Sequence, residues 1–307
     1  KPFVWKESRK SIRVIRGKQN IGVKGDGFDV LFSILFGGLV SYRYAGVEMI
    51  EKIPLPNFWR APVDNDAGSL APARYAQWKI ASMYVSHKNS QMADGAENTT
   101  MLDNTVRVEE GDRCVTVTYH YHMPTTPHSF CEVAYTVYGD GAVKTTLSYD
   151  PVKELGDMPE FGMMFSLNAD YDRVKWYGLG PAETYADRKE GAKLGIYHNK
   201  VADNMAKYIV QQECGNKLGV RYAAVTNAKG RGMLFTGDSI SFSALPYTPH
   251  EMENAAHGYD LPRVHHTVVR AALAQMGVGG DDSWGEFVHT EYCIDAGQKL
   301  EFSLILK

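Results

Sequence analysis

Cysteine is scarce in this sequence, and its spacing excludes two classes of small domain. Only four of the 307 residues are cysteine, at positions 114, 131, 214 and 293, and no two of them form a C-x-x-C pair. Disulfide-dense scaffolds and zinc knuckles both need closely spaced cysteines. We therefore predict neither, and the widely separated thiols favour a reducing compartment, the cytoplasm.

An excess of charge of one sign and a long apolar run are also missing. The net charge is −3 at pH 7, although the first eighteen residues carry seven Lys or Arg against one acid. That basic run lacks the interleaved aromatic residues or amphipathic pattern of a segment that binds nucleic acid or a membrane. No apolar stretch approaches the roughly 20 residues of a membrane helix. The sequence predicts neither nucleic acid nor a membrane as a partner.

Strand-like alternation is what the sequence has in abundance. Residues 115–121 (VTVTYHY) and 134–138 (AYTVY) are dense in β-branched and aromatic side chains, which favour strands. The Gly-Asp-Gly tripeptide at 139–141 predicts a hairpin turn, and residues 142–149 supply the returning strand.

Similar strand pairs recur along the chain. Residues 28–36 are predicted to pair with 39–44, and 218–225 with 233–236, because a glycine-containing turn separates the members of each pair. Residues 300–306 alternate apolar and polar side chains, as in a strand with one buried face.

Helices are predicted to be few and short. The best signal is the capping sequence Thr248-Pro249-His250-Glu251, whose helix would end before a glycine at position 258. Weaker signals lie at 74–83 and 202–212. The strand-helix alternation of a parallel sheet is missing, so the predicted class is all-β, a large antiparallel sandwich.

The segment at 58–66 (FWRAPVDND) combines an aromatic pair, a cation and two acids. Asp64-x-Asp66 invites comparison with a calcium loop, but the glycine and the final glutamate of such a loop are not in place. We therefore interpret the segment as a rigid turn in which Arg60 pairs with an internal acid.

Other candidate sites give weak signals. The segment at 178–188 (GLGPAETYADR) lacks the Gly-Lys-Ser/Thr of a phosphate-binding loop. The histidines at 120, 122, 257, 265 and 266 have no Cys or acid at ligand spacing, so no metal site is predicted. We also find no G-x-S-x-G motif and no cysteine in a catalytic context.

The segment at 277–285 is the most unusual, because it places Trp284 on a glycine-rich loop. One face of a sugar ring is apolar and its rim carries hydroxyls, so an indole with acids nearby suits a sugar. The alternative is that Trp284 anchors the loop onto the sandwich.

Three segments, at 58–66, 178–188 and 276–284, resemble in order and spacing the C-terminal domain of glycoside hydrolase family 2 β-galactosidases. The resemblance covers residues 20–307 and includes SALPYT and ENAAH around the capped helix, which look like the small chain of the two-chain form. Residues 1–19 are predicted to be a linker or the end of a preceding domain.

The resemblance implies a super-sandwich of two large antiparallel sheets, of the kind found in galactose mutarotases. It implies retaining hydrolysis of terminal β-D-galactosides such as lactose, by two glutamates of a (β/α)8 barrel that this chain lacks. We therefore predict no catalytic residue here and no activity of the chain alone. Trp284 would contact the substrate, supported by the loop residues Gly279, Gly280, Asp281, Asp282 and Ser283.

The resemblance also implies partners and cofactors outside this chain. The partners would be a β-galactoside sugar and the remaining domains or large subunit, in an enzyme expected to be oligomeric. The Mg²⁺ and Na⁺ of the complete enzyme would be bound by other domains, with no cofactor in this chain. Two alternatives stay open, a freestanding aldose 1-epimerase and a non-catalytic carbohydrate-binding module.

Overall fold

The structure is a computed structural model that describes residues 5–87, 106–282 and 284–307. Antiparallel strands hold far more of these residues than helices do, and the four α-helices found among them are short. The predicted all-β class is confirmed. None of these helices is long and apolar enough to span a membrane.

The strands form a small sheet, β1 to β5, and a large one, β6 to β17. Their bounds are β1 (Arg13–Arg16), β2 (Asn20–Gly25), β3 (Phe28–Ser33), β4 (Gly38–Tyr44), β5 (Val47–Glu48), β6 (Leu55–Asn57), β7 (Val106–Glu110), β8 (Cys114–Met123), β9 (Ser129–Tyr138), β10 (Val143–Tyr149), β11 (Glu160–Asn168), β12 (Arg173–Gly180), β13 (Lys193–Lys200), β14 (Lys217–Thr226), β15 (Gly232–Leu245), β16 (His266–Gln275) and β17 (Leu300–Leu306).

The small sheet follows chain order and packs against the large one. Tyr42 of β4 donates a hydrogen bond to the carbonyl of Gly141, at 2.7 Å, and Tyr119 of β8 donates one to the carbonyl of Ser33, at 3.0 Å. Strand β1 pairs with β2 although it falls inside the range assigned to a linker. The boundary at residue 20 itself stays a prediction.

The large sheet branches at β15, its longest strand. Near its start, β15 pairs with β17, which continues through β10, β9, β8 and β7. Its last five residues pair with β16, which continues through β11 to β6. Both branches contribute buried side chains to one hydrophobic cluster, for example Val133 from the first and Phe165 from the second. The core of the domain therefore lies between the branches.

The predicted hairpins are confirmed in the registers of the sheet. Strands β9 and β10 pair around the turn at 139–141, and β14 pairs with β15. In β17 the side chains of Phe302, Leu304 and Leu306 are buried, while Glu301 is exposed. The alternation of apolar residues therefore correctly predicts which faces of these strands are buried.

The helices are α1 (Asp64–Gly68), α2 (Ala71–Arg74), α3 (Ala76–Tyr84) and α4 (Pro249–Glu253). The capping box of α4 is present: the Thr248 hydroxyl accepts the amide of Glu251, and the Glu251 carboxylate accepts the amide of Thr248. The helix is shorter than predicted. The helix predicted at 202–212 is wrong, because only a 3-10 turn at Val201–Asn204 forms there. Tertiary bonds replace it, including one from the Tyr208 hydroxyl to Glu183, 2.6 Å long.

Candidate functional site

Three sequence motifs that lie far apart along the chain meet at the end of β16. One residue from each, Val63, Tyr185 and Val278, is buried in a small apolar cluster. Beyond β16 the chain runs through residues 276–289, which we call the Trp284 loop. The first two motifs therefore form the floor on which this loop rests.

The first motif holds the start of the loop through a buried ion pair. The Nη2 atom of Arg60 lies 2.9 Å from Asp66 Oδ1 and donates a second hydrogen bond, of 2.8 Å, to the carbonyl of Gly277. Nη1 donates to the carbonyl of Met276. Burial opposes the charge of Arg60, but the surrounding acidic groups, chiefly the Asp66 carboxylate, together outweigh it and raise the pKa of the guanidinium. The predicted rigid turn, with Arg60 bound to an internal acid, is confirmed.

The second motif holds the loop through a single carboxylate. Asp187 accepts hydrogen bonds from the amides of Val278, at 3.0 Å, and Gly279, at 2.8 Å. From the first motif, the Asn65 side chain donates to the carbonyl of Val278, at 3.0 Å. Both peptide groups of Val278 are thereby fixed by side chains from elsewhere in the chain.

Replacing this carboxylate should loosen the loop. We expect Asp187→Ala to lower the free energy of unfolding by about 1–3 kcal/mol, because two amides lose their acceptor. Hydrogen exchange of the Val278 and Gly279 amides, followed by NMR, should accelerate in the variant. Exposed Asp150 provides the control Asp150→Ala, and equal exchange in both variants would contradict the role given to Asp187.

The glycines of the loop allow a path that other residues would not follow. Gly279 and Gly280 have φ values of +66° and +110°, in the region that favours glycine. Gly285 has a φ of +97°, and a Cβ added there would lie 2.4 Å from the carbonyl carbon of Gly68, at the end of α1. The loop thus crosses α1 at a distance that only glycine permits.

Trp284 itself projects from the loop, with 87% of its surface exposed. The amides around it are ordered by Asp282, whose Oδ1 accepts the amides of Trp284 (2.9 Å), Gly285 (3.1 Å) and Glu286 (3.1 Å). These bonds lower the pKa of the Asp282 carboxyl. An indole that anchored the loop would be buried, whereas this one is presented to solvent on an ordered turn. Ser283 lies outside the described residues.

On the far side of Trp284 the loop is held again. Phe287 lies under the guanidinium of Arg74, whose Cζ is 4.2 Å from the ring centroid, a cation–π distance. Both residues line a cleft of about 230 Å³ together with Asp157 and Thr290. The Trp284 loop is therefore fixed before and after the indole.

The last support residue, Asp281, pairs with a histidine at the end of the loop. The Nε2 atom of His289 lies 2.6 Å from Asp281 Oδ2, and this hydrogen bond is the main cause of a raised pKa of His289. Both side chains are about half exposed.

This pair gives a pH prediction for the loop. Because the folded-state pKa of His289 is raised, the stabilisation from its pair is present below the ordinary histidine pKa and is lost as the pH rises through the raised value. We expect NMR titration to give His289 a pKa above about 6.5. Asp281→Asn should lower that pKa, whereas the control Asp238→Asn should not. An unchanged His289 titration in Asp281→Asn would contradict the assignment.

A buried polar network lies behind the loop. Arg270 of β16 donates to Glu160, at 2.8 Å, and to Glu213, and Gln275 donates to Glu160, at 2.9 Å. Burial raises the pKa of Glu160, which Arg270 partly offsets. Glu160 and Glu213 are each 2% exposed. Neither carboxyl can therefore reach a sugar.

Sequence reasoning missed this network, because its members come from different strands and form no motif.

Sequence reasoning also missed an acid beside the histidine pair at 265 and 266. Glu251 of α4 lies 3.0 Å from His266 and 3.6 Å from His265. Glu251 is far from both histidines along the sequence, so local ligand spacing does not predict it, and only the fold brings it beside them.

Comparison with known sequences gives the family. The sequence model of a family described as "Beta galactosidase small chain" matches residues 24–306. The β-galactosidase of Halalkalibacterium halodurans is 41% identical over 302 residues, which cover 97% of this chain and 28% of that protein. The β-galactosidase small subunit of Latilactobacillus sakei is 34% identical over 311 residues, covering 96% of this chain and 97% of that one.

Among solved structures, the galactose 1-epimerase of Lactobacillus acidophilus overlaps 97% of this chain and 98% of its own, with a TM-score of 0.45 and 8% identity. That likeness is too distant to bear on activity. The chain spans less than a third of the length of the larger β-galactosidases that it matches. Since the family match extends over nearly the whole described fold, the chain belongs to the β-galactosidase small-chain family.

Proposed function

We propose that this chain completes the galactoside-binding site of a β-galactosidase whose catalytic glutamates lie in another part of the enzyme. The observation that carries the proposal is Trp284, an exposed indole on a loop that two other motifs, at 58–66 and 178–188, hold in place. In the proposal Trp284 contacts the sugar, and Gly279, Gly280, Asp281, Asp282 and Ser283 support the loop.

The chemistry of the loop suits a galactoside. An indole face packs against the apolar face of a sugar ring, while carboxylates accept hydrogen bonds from the hydroxyls at its rim. A rigid loop also loses little conformational entropy when the sugar binds.

The chain alone is proposed to be inactive. A retaining glycosidase needs two accessible carboxyl groups about 5 Å apart across the glycosidic bond. The two glutamates that share Arg270 are buried and serve the core. The remaining domains or a large subunit would supply the catalytic pair, in an assembly that we expect to be oligomeric.

The proposal places Mg²⁺ and Na⁺ sites of the complete enzyme in those other parts. Within the described ranges, one group of three His, Cys or acidic side chains is close enough to share an ion, and two of its members are histidines. Mg²⁺ prefers oxygen ligands, so this group does not fit it. The four free thiols suit a reducing compartment, and we place the enzyme in the cytoplasm.

The test is hydrolysis of a chromogenic β-galactoside by the 307-residue chain, alone and after mixing with the catalytic portion of the enzyme. We expect no hydrolysis by the chain alone and activity on mixing. Hydrolysis by the chain alone would contradict the proposal. Mutarotation of galactose by the isolated chain would favour an epimerase instead, and tight galactose binding without catalysis would favour a binding module.

A further inference from the structure

A second cluster of functional side chains lies at the opposite end of β16 from the Trp284 loop. Glu251 belongs to the first turn of α4, His265 precedes β16, and His266 is its first residue. The Nε2 atom of His266 is 3.0 Å from Glu251 Oε2, and that of His265 is 3.6 Å from Glu251 Oε1. One ligand atom from each residue lies within 4.8 Å of the other two.

The three side chains are close enough to share one ion. Donor atoms of a tetrahedral zinc site, each about 2.0–2.2 Å from the metal, lie roughly 3.3–3.6 Å from one another. The two histidines lie 3.0 and 3.6 Å from different oxygens of Glu251, and one donor atom per residue lies within 4.8 Å of the other two, so the side chains would close in slightly around the ion. We propose that Glu251, His265 and His266 bind a zinc-type divalent cation, with a fourth position open to water.

The Glu251 carboxylate is held in place beside the histidines. It accepts hydrogen bonds from the amide and the hydroxyl of Thr248, 2.7 and 3.0 Å long. A metal needs ligands already oriented towards one point, and this capping arrangement orients the carboxylate.

The ligand set indicates which metal. Two imidazoles and one carboxylate suit zinc and its neighbours in the first transition row, whereas Mg²⁺ and Ca²⁺ prefer oxygen ligands. The side chain of His265 is 54% exposed and that of Glu251 is 22% exposed, so an ion can enter from solvent.

The surroundings of the second ring nitrogen of His266 indicate modest affinity for the metal. A ligating histidine usually donates its other ring N–H to an acceptor, and loss of that partner weakens binding 10- to 100-fold. The Nδ1 atom of His266 is buried and finds no hydrogen-bond partner in the described part of the chain. We therefore expect a dissociation constant in the micromolar range rather than that of a structural zinc finger.

The position of the cluster indicates a structural role. Strand β16 has ten residues, which at about 3.3 Å per residue separates the cluster from the Trp284 loop by roughly 30 Å. The metal would instead join α4 to the start of β16 across the segment 254–265. It would therefore stabilise that connection without taking part in hydrolysis.

The test is titration of the metal-free 307-residue chain with Co²⁺, whose visible absorption reports its ligands, followed by displacement with Zn²⁺. We expect one equivalent to bind and the melting temperature to rise with Zn²⁺ but not with equimolar Mg²⁺. His265→Ala should weaken binding at least tenfold, because the exposed ligand is lost while the fold is kept. Glu251→Gln should weaken it as well.

His257→Ala is the matched control, because His257 also pairs with an acid, Asp260, at 3.3 Å and its side chain is 47% exposed. This variant should bind the metal as the parent chain does. All variants keep the free thiols, so a difference in affinity between them reports metal binding by the cluster and not by the thiols. Equal affinity of His265→Ala and the parent chain, or no stoichiometric binding by the parent chain, would overturn the proposal.

Discussion

Replacing Trp284 with alanine should lower kcat/KM of the complemented enzyme roughly 10- to 100-fold, the range of an aromatic residue central to a binding site. The free energy of unfolding should change by less than about 0.5 kcal/mol, because 87% of the side chain is exposed and little packing is lost. The measurements are steady-state kinetics on a chromogenic β-galactoside and denaturant unfolding of the chain.

Two further variants sharpen this experiment. Trp284→Phe keeps an aromatic face and should recover part of the lost activity. Tyr259 is an aromatic residue 82% exposed, placed between α4 and β16, and Tyr259→Ala should leave kcat/KM unchanged. If Trp284→Ala hydrolysed the substrate as well as the parent enzyme, Trp284 would have no part in the galactoside site.

Replacing Arg270 with methionine should lower the free energy of unfolding by about 3–5 kcal/mol, the usual cost of breaking a buried ion pair. The guanidinium is 3% exposed and is shared by Glu160 and Glu213, so its removal leaves two buried carboxyls without their cation. Chemical denaturation at pH 7 measures the loss. The exposed residue Arg231 gives the control Arg231→Met, which should lose little.

The Arg270 variant should also change the pH dependence of stability. Burial already raises the pKa of Glu160 and Arg270 opposes that rise, so the pKa climbs further in the variant. A carboxyl whose pKa is raised in the folded state stabilises the fold at a pH below its unfolded-state pKa, near 4.3. That stabilisation is lost as the pH rises through the folded-state pKa. The difference in the free energy of unfolding between the variant and the parent chain should therefore shrink towards pH 4. A loss below about 1 kcal/mol at pH 7, or a deficit independent of pH, would contradict the account.

The fold could be predicted from the sequence wherever the signal is local. Alternation in residues 134–149 specifies both strands of a hairpin and the turn between them, and the box at Thr248 specifies where α4 begins. Helix α4 ends at Glu253, earlier than predicted, and the amides of Asn254 and Ala255 bond back to His250 and Met252. The segment at 202–212 is not helical as predicted, because tertiary hydrogen bonds such as that from Tyr208 to Glu183 are invisible in the local pattern.

The candidate site was predictable only in part. Trp284 stood out because a large aromatic on a glycine-rich loop is unusual, and Arg60 because its motif offers an internal acid. The carboxylate of Asp187 and the network around Arg270 were not predicted, because their partners lie on strands that only the sheet topology brings together. Glu251 illustrates the same limit, since its distance from His266 is set by the packing of α4 against β16.

The position of β17 has a consequence for how the chain reaches this structure. The strand lies between β15 and β10, and Val143 of β10 pairs with Leu306, half the chain away. Until β17 is inserted, β10 and the start of β15 are open edges that can pair with other molecules. Closing so long a loop is slow, because its entropy is lost before the contacts form. We therefore expect the domain to assemble late and to be most prone to aggregation just before its last strand docks.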